Sequence, residues 1–202
     1  MAERKVEIIG REAAYKGYLR IDRYRLRHER FAGGMTEPMS RELMERGHAA
    51  AVLPYDPEAD AVVLIEQFRI GAHAAGRPAW VVETVAGVID DGETPEDVAR
   101  RETTEETGCT LTRIEPVFPV LPSPGGCSET VHIFVGQVDS RGVGGLHGLA
   151  DESEDIRVFV LPFDEALEWV DRGRVENGVS VIALLWLARH REALRRRWRG
   201  EA

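Results

Sequence analysis

Between Gly87 and Cys109 the chain reads GVIDDGETPEDVARRETTEETGC, and within it Glu102, Glu105 and Glu106 stand at i, i+3 and i+4. On a helix those positions share one face, so three carboxylates project together and repel one another. Arg100 and Arg101 relieve only part of that repulsion, and a hard divalent cation is the natural complement to an oxygen-only acidic face. Magnesium fits best, with manganese as a substitute: it binds through one or two carboxylates and shares its remaining positions with water and phosphate oxygens. The chemistry this points to is attack on a phosphoryl or pyrophosphoryl centre. Taken alone, three glutamates are far more often a solvated acidic surface.

The surrounding residues specify how such a face is held. Thr94, then Pro95, then Asp97 is a helix start, with a side-chain oxygen for unpaired amides, proline at the first helical position and acid in the first turn. Gly108 is the stop. Upstream, Trp80 to Val85 predicts a strand entering a loop at Ala86 and Gly87, where glycine lets the backbone approach a ligand closely.

Gly87, Glu93, Arg101, Glu102, Glu105, Glu106 and Gly108 fill the fixed positions of G-x5-E-x7-R-E-U-x-E-E-x-G-U, and the segment resembles the box of the Nudix hydrolase family. Thr103 and Cys109 depart from it, occupying slots usually given to aliphatic residues. Pro124, within SPGGCSE, resembles the downstream proline of the bacterial ADP-ribose pyrophosphatase subfamily. ERGHAAAVLPYDP, HGLADESEDIRV and SVIALLWL are similar to that subfamily as well.

The resemblance implies hydrolysis of ADP-ribose to AMP and ribose 5-phosphate, in an α/β (α+β) fold: an α/β/α sandwich around a mixed sheet with a small N-terminal antiparallel sheet. It implies Glu102 and Glu106 as magnesium ligands, with Glu105 joining directly or through water, and the backbone oxygen of Ala86. Arg101 is implied to be structural, pairing with Glu93. Arg69, Arg41 and Tyr18 are implied around the substrate beside Pro124 and Gly125, with Arg41 and Tyr18 reaching in from a partner chain. The box carboxylates being committed to metal, the base is expected in the acidic lid. Glu152 is favoured for that role and Glu154 as a further metal ligand; the two are exchangeable, and Glu105 is the fallback base.

The rest of the chain is read as follows. Val6 to about Arg30 carries three β-type runs, VEIIG, YKGYLRID and RYRLRHER, which predict a small sheet; Arg41 to Gly47 is a short helix or a continued strand. This gives an N-terminal β subdomain over 1–46 and a main domain over 47–202, which the resemblance implies serve for dimerisation and hydrolysis respectively. AAAVLPYD and AVVLIEQF predict adjacent core strands, followed after the box by strands over Ile114 to Val120, Thr130 to Val138 and Ile156 to Leu161. Ser140 to Asp155, with four glycines and no apolar periodicity, is a loop long enough to act as a lid. Asp164 starts a short helix to Asp171, and Ser180 to Arg197 predicts the long last one.

Composition narrows the classes. A chain of 202 residues with 43% hydrophobic content supports one moderate domain with a subdomain. A net charge of −9 speaks against a nucleic-acid partner, and the basic stretch Arg189 to Arg199 complements a helix C-terminus. No signal peptide opens the chain, no apolar run reaches membrane-spanning length, and Cys109 and Cys127 make neither a disulfide framework nor a zinc spacing, so a cytoplasmic protein is expected. The N-terminal sheet, too small to be stable alone, together with the resemblance leads to the expectation of a homodimer. Two competing functions stand beside the first: hydrolysis of another nucleoside diphosphate sugar such as GDP-mannose, and a non-catalytic ADP-ribose sensor. Retention of every box glutamate on an acidic chain speaks against the sensor.

Overall fold

The computed structural model describes residues 4–149 and 153–200, which form two compact units: Met1–His48 with Leu121–Thr130, and Ala49–Val120 with Val131–Ala202. In the first, β1 (Val6–Lys16) and β2 (Arg20–His28) form an antiparallel hairpin, and β3 (Met39–Glu45) pairs with the other edge of β2. The three sequence runs are therefore two long strands. YKGYLRID is not one strand: the chain reverses at Gly17, whose N–H donates to Leu19 O at 3.0 Å. A Cβ at Gly17 would meet the ring end of the exposed Tyr15 side chain, which packs over the turn. Arg41 lies in strand β3, and the short helix is excluded. Leu121–Thr130 returns to this unit beside β3, with Met44 N donating to Gly126 O at 2.8 Å and Ser128 N to Met44 O at 3.3 Å.

The second unit is built on β4 (Ala49–Asp56) and β5 (Ala61–Phe68). After them come α1 (Ile70–Ala74), β6 (Trp80–Glu83), β7 (Val85–Val88) and α2 (Pro95–Thr107). The chain continues through β8 (Arg113–Val120), β9 (Val131–Gln137), β10 (Gly145–His147), β11 (Ile156–Pro162), α3 (Phe163–Asp171) and α4 (Gly178–Arg199). The strands form one mixed sheet in the order β10-β11-β5-β4-β9-β8, with β6 on β5 and β7 on β4; β4 and β9 are parallel and the other pairs antiparallel.

Every residue of β4 is buried, the reason its sequence is an unbroken apolar run: helices cover both faces of the sheet. Leu53, Tyr55 and Leu64 pack with Ala183, Leu184 and Leu187 of α4 on one face, and Val52, Val63 and Ile65 pack with Val98 and Ala99 of α2 on the other. Period-2 alternation thus divides each strand between two cores. Pro54 is tolerated mid-strand because it falls where the neighbour of β4 changes, from β7 (ending at Val52↔Val85) to β5 (beginning at Tyr55↔Val62).

Four further expectations are corrected. The stretch from Trp80 is two strands, because at Thr84 the backbone N–H leaves the ladder to donate to Ser180 Oγ at 2.9 Å; Ala86 and Gly87 then lie in β7, opposite Ala51 and Ala50, and not in a loop. The Gly-rich stretch after Ser140 contains β10. α3 begins at Phe163, with no side-chain cap from Asp164, and α4 begins at Gly178, capped by Asn177. The short α1 had no counterpart in the sequence reading. Among the described residues no helix is long and apolar enough to cross a membrane.

Candidate active site

α2 presents the acidic face, and its ends are fixed locally. Thr94 and Asp97 form a reciprocal capping box, with Asp97 N donating to Thr94 Oγ1 at 3.2 Å and Thr94 N to Asp97 Oδ2 at 3.3 Å. Gly108, at φ 71°, ends the helix in the left-handed region and donates to Thr104 O at 2.9 Å. The helix buries Val98, Ala99, Thr103, Glu106 and Thr107. Thr103 is accommodated in its aliphatic slot because its hydroxyl donates to Ala99 O at 2.6 Å, one turn back.

The three glutamates do not share one environment. Glu106 is 2% exposed, and among the described residues its carboxylate accepts one hydrogen bond, from Ala86 N at 3.3 Å. Burial, reinforced by the charges of Glu102 and Glu154, pushes its carboxyl up to about 9; the Ala86 amide and Arg69 oppose the rise and lose. Glu102 is also raised, first by burial, with Glu105 and Glu154 adding to it and Arg101 resisting. Glu105 is partly exposed at the rim.

Arg101 is the hub of the rim. Its Nε and Nη2 donate to the two oxygens of Glu93 at 3.0 and 3.1 Å, while Nη1 donates to Glu102 Oε1 at 2.7 Å and Glu105 Oε2 at 3.0 Å. The bidentate bond ties the segment before α2 to its middle and holds the Glu93 carboxyl below the ordinary range. Glu102 also presses on β7: a Cβ at Gly87 would lie 1.9 Å from Glu102 Oε1, so this glycine is required by close approach.

Two other segments of this unit reach the carboxylates. Arg69, just after β5, donates from Nε to Glu83 Oε2 at 2.7 Å, and its charge is felt at Glu106. Glu154 is drawn in by the turn before β11, where its N–H donates to Leu149 O at 3.2 Å and its Oε2 accepts Leu149 N at 3.3 Å. Glu152 lies outside the described residues. Tyr18, Arg41, Pro124 and Gly125 belong to the other compact unit, all exposed; Arg41 Nη1 donates to Ser40 O at 2.8 Å.

Among the described residues no three His, Cys, Asp or Glu side chains converge as a metal cage, since Arg101 draws Glu102 and Glu105 onto itself. The donor chemistry nonetheless suits a hard cation: all ligating atoms are oxygens, and burial together with the neighbouring carboxylates pushes the Glu106 carboxyl up, a cost that a cation would offset. The sequence reading missed Glu83 and Gln67. Gln67 is 7% exposed on β5, two residues before Arg69, and its Nε2 has no hydrogen-bond partner among the described residues. The only sequence signal for either was a polar residue inside an apolar strand.

Comparison with known proteins gives the family and its relatives. The NUDIX domain family matches residues 45–181. The ADP-ribose pyrophosphatase of Escherichia coli K12 is 52% identical over 193 residues, covering 96% of this chain and 92% of that protein. The GDP-mannose pyrophosphatase of Cronobacter sakazakii is 41% identical over 145 residues, covering 71% of this chain and 75% of that protein. A solved structure described as an ADP compounds hydrolase superposes with a TM-score of 0.72 at 20% identity, over the whole of both chains, which supports the fold.

Proposed function

We propose that this chain, which belongs to the Nudix hydrolase family, hydrolyses the pyrophosphate bond of ADP-ribose to AMP and ribose 5-phosphate. The observation that carries the substrate is the extent of the likeness: the ADP-ribose pyrophosphatase relative aligns with 96% of the chain, the GDP-mannose relative with 71%.

Glu102, Glu106, Glu105 and Glu154, with the carbonyl oxygen of Ala86, would hold a divalent cation, magnesium by preference and manganese in its place. When bound, that ion supplies neutralisation of the pyrophosphate oxygens and acidifies water. The chain's own groups do the rest. Arg69 offers its guanidinium to a phosphate oxygen, orienting the diphosphate. Glu152 accepts the proton of the water that attacks phosphorus, a role open to it because it is not committed to the metal. Arg101 keeps Glu93 and the segment before α2 in place, so the carboxylates are held when substrate arrives.

The protein acts as a cytoplasmic homodimer in this reading, with Tyr18 and Arg41 contributing from the partner chain. Support for the dimer comes from the long strand β1, which exposes Val6, Ile8 and Ile9. Support for a reducing compartment comes from Cys109 and Cys127, both free and buried. Steady-state kinetics with ADP-ribose, GDP-mannose and related nucleoside diphosphate sugars, with magnesium, test the function. The expected result is the highest kcat/KM for ADP-ribose with AMP released. A higher value for GDP-mannose would move the substrate, and tight ADP-ribose binding without turnover would move the protein to a sensor.

A further inference from the structure

Asn177 sits at the start of α4 with both ends of its amide engaged. Its Oδ1 accepts Ser180 N at 3.0 Å and Ser180 Oγ at 3.1 Å, capping the helix. Those donors fix the amide's orientation, so Nδ2 faces the other way and donates to Glu83 Oε1 at 2.7 Å. The second oxygen of the same carboxylate accepts Arg69 Nε at 2.7 Å. Glu83 is 5% exposed, and each of its oxygens is assigned to a donor from a different part of the chain.

Arg69 is held by one end only. Nε is bound to the buried carboxylate, whereas Nη1 and Nη2 have no hydrogen-bond partner among the described residues and the side chain is 44% exposed. A guanidinium anchored through Nε has its terminal edge, the pair of donors that matches two oxygens of a phosphate, turned outward. The charge of Arg69 is felt at Glu106, the buried carboxylate of α2. Attachment of α4 does not depend on this link alone, since Thr84 N donates separately to Ser180 Oγ at 2.9 Å.

We infer that Glu83 and Asn177 are positioning residues that aim the terminal nitrogens of Arg69 at a pyrophosphate oxygen of the substrate; this rests on the function proposed above. In Glu83→Gln one of the two oxygens becomes a donor NH2, so the donors that now sit on separate oxygens cannot both be accepted in place, and Arg69 loses its charged anchor while the volume is kept. Serine at 177 still caps α4 but is too short to reach Glu83.

The test is a double-mutant cycle on kcat/KM for ADP-ribose with Arg69→Ala, Glu83→Gln and the pair, accompanied by Asn177→Ser. Glu83→Gln is expected to lower kcat/KM by about 10-fold, the scale of a hydrogen bond to a charged group. In the Arg69→Ala background the same change is expected to have less than about a 2-fold effect, because a residue acting through Arg69 has nothing left to aim. Asn177→Ser is expected to fall in the same direction, which keeps the inference testable if Glu83→Gln does not fold. Additive effects would make Glu83 a purely structural residue and overturn the inference while leaving the function intact. The shift in Tm produced by inorganic pyrophosphate with magnesium, read on the same proteins, is expected to follow the same non-additive pattern. Should the parent fail to turn over ADP-ribose, the function falls and this shift decides the positioning role alone; a parent that shows no shift either overturns both.

Discussion

Replacing Glu106 by glutamine separates the stability of the fold from the needs of the site. In the metal-free protein the Glu106 carboxyl is pushed from 4.5 to about 9, chiefly by burial. Between those pH values the native protein holds a proton that the unfolded chain releases, so folding takes up a proton and stability falls as pH rises, by about 1.4 kcal/mol per pH unit. The contribution is fully present below 4.5 and is lost as pH climbs towards about 9. At pH 7 the loss spans 2.5 pH units, or about 3 kcal/mol. Glutamine keeps the shape and the acceptor for Ala86 N without the titration. Metal-free Glu106→Gln is therefore expected to be more stable than the parent by up to about 3 kcal/mol at pH 7, or about 6–12 °C in Tm for a chain of this size, with the gain vanishing near pH 4.5. Thermal unfolding in chelator from pH 4.5 to 9 measures this, and repeating it with magnesium should reverse the order, since the variant would lack a ligand of the proposed metal site and is expected to lose most activity. Equal stability at pH 7 and an unchanged pH slope would show that burial does not raise the Glu106 carboxyl, and would refute the reasoning.

The remaining predictions concern the neighbours of that carboxylate and the outer sheet. Gly87→Ala places a methyl where Glu102 now lies, so magnesium affinity and kcat/KM should fall by about 10-fold or more for about 1–3 kcal/mol of stability, seen in metal-titrated kinetics beside a melt. An unmoved magnesium dependence would mean Glu102 has room to step aside. Glu152→Gln should lower kcat by about 10²–10⁴-fold with metal affinity unchanged, and Glu154→Gln should shift the magnesium dependence instead; an unchanged kcat in Glu152→Gln returns the base to Glu105 or to solvent. Sedimentation at micromolar concentration is expected to show a dimer, and a fully active monomer would remove Tyr18 and Arg41 from the substrate.

By itself the sequence determined what is local. Thr94, Pro95, Asp97 and Gly108 set the limits of α2 because caps act within one turn, and the spacing of Glu102, Glu105 and Glu106 followed from helical geometry. The apolar runs of β4 and β5 announced doubly covered strands for the same reason, since burial on both faces removes polar alternation. Tertiary structure decided what depends on neighbours far along the chain. Which of three adjacent carboxylates is buried was set by the packing of α2 on the sheet, and this alone makes Glu106 differ from Glu105. The division of the stretch after Trp80 into β6 and β7 was decided by Ser180, 96 residues on, and the Asn177 to Glu83 bond spans 94 residues. Such side-chain bonds have no period and no fixed spacing, because their geometry comes from two elements meeting in space, so nothing in the sequence pointed to Glu83 as the carboxylate that holds Arg69.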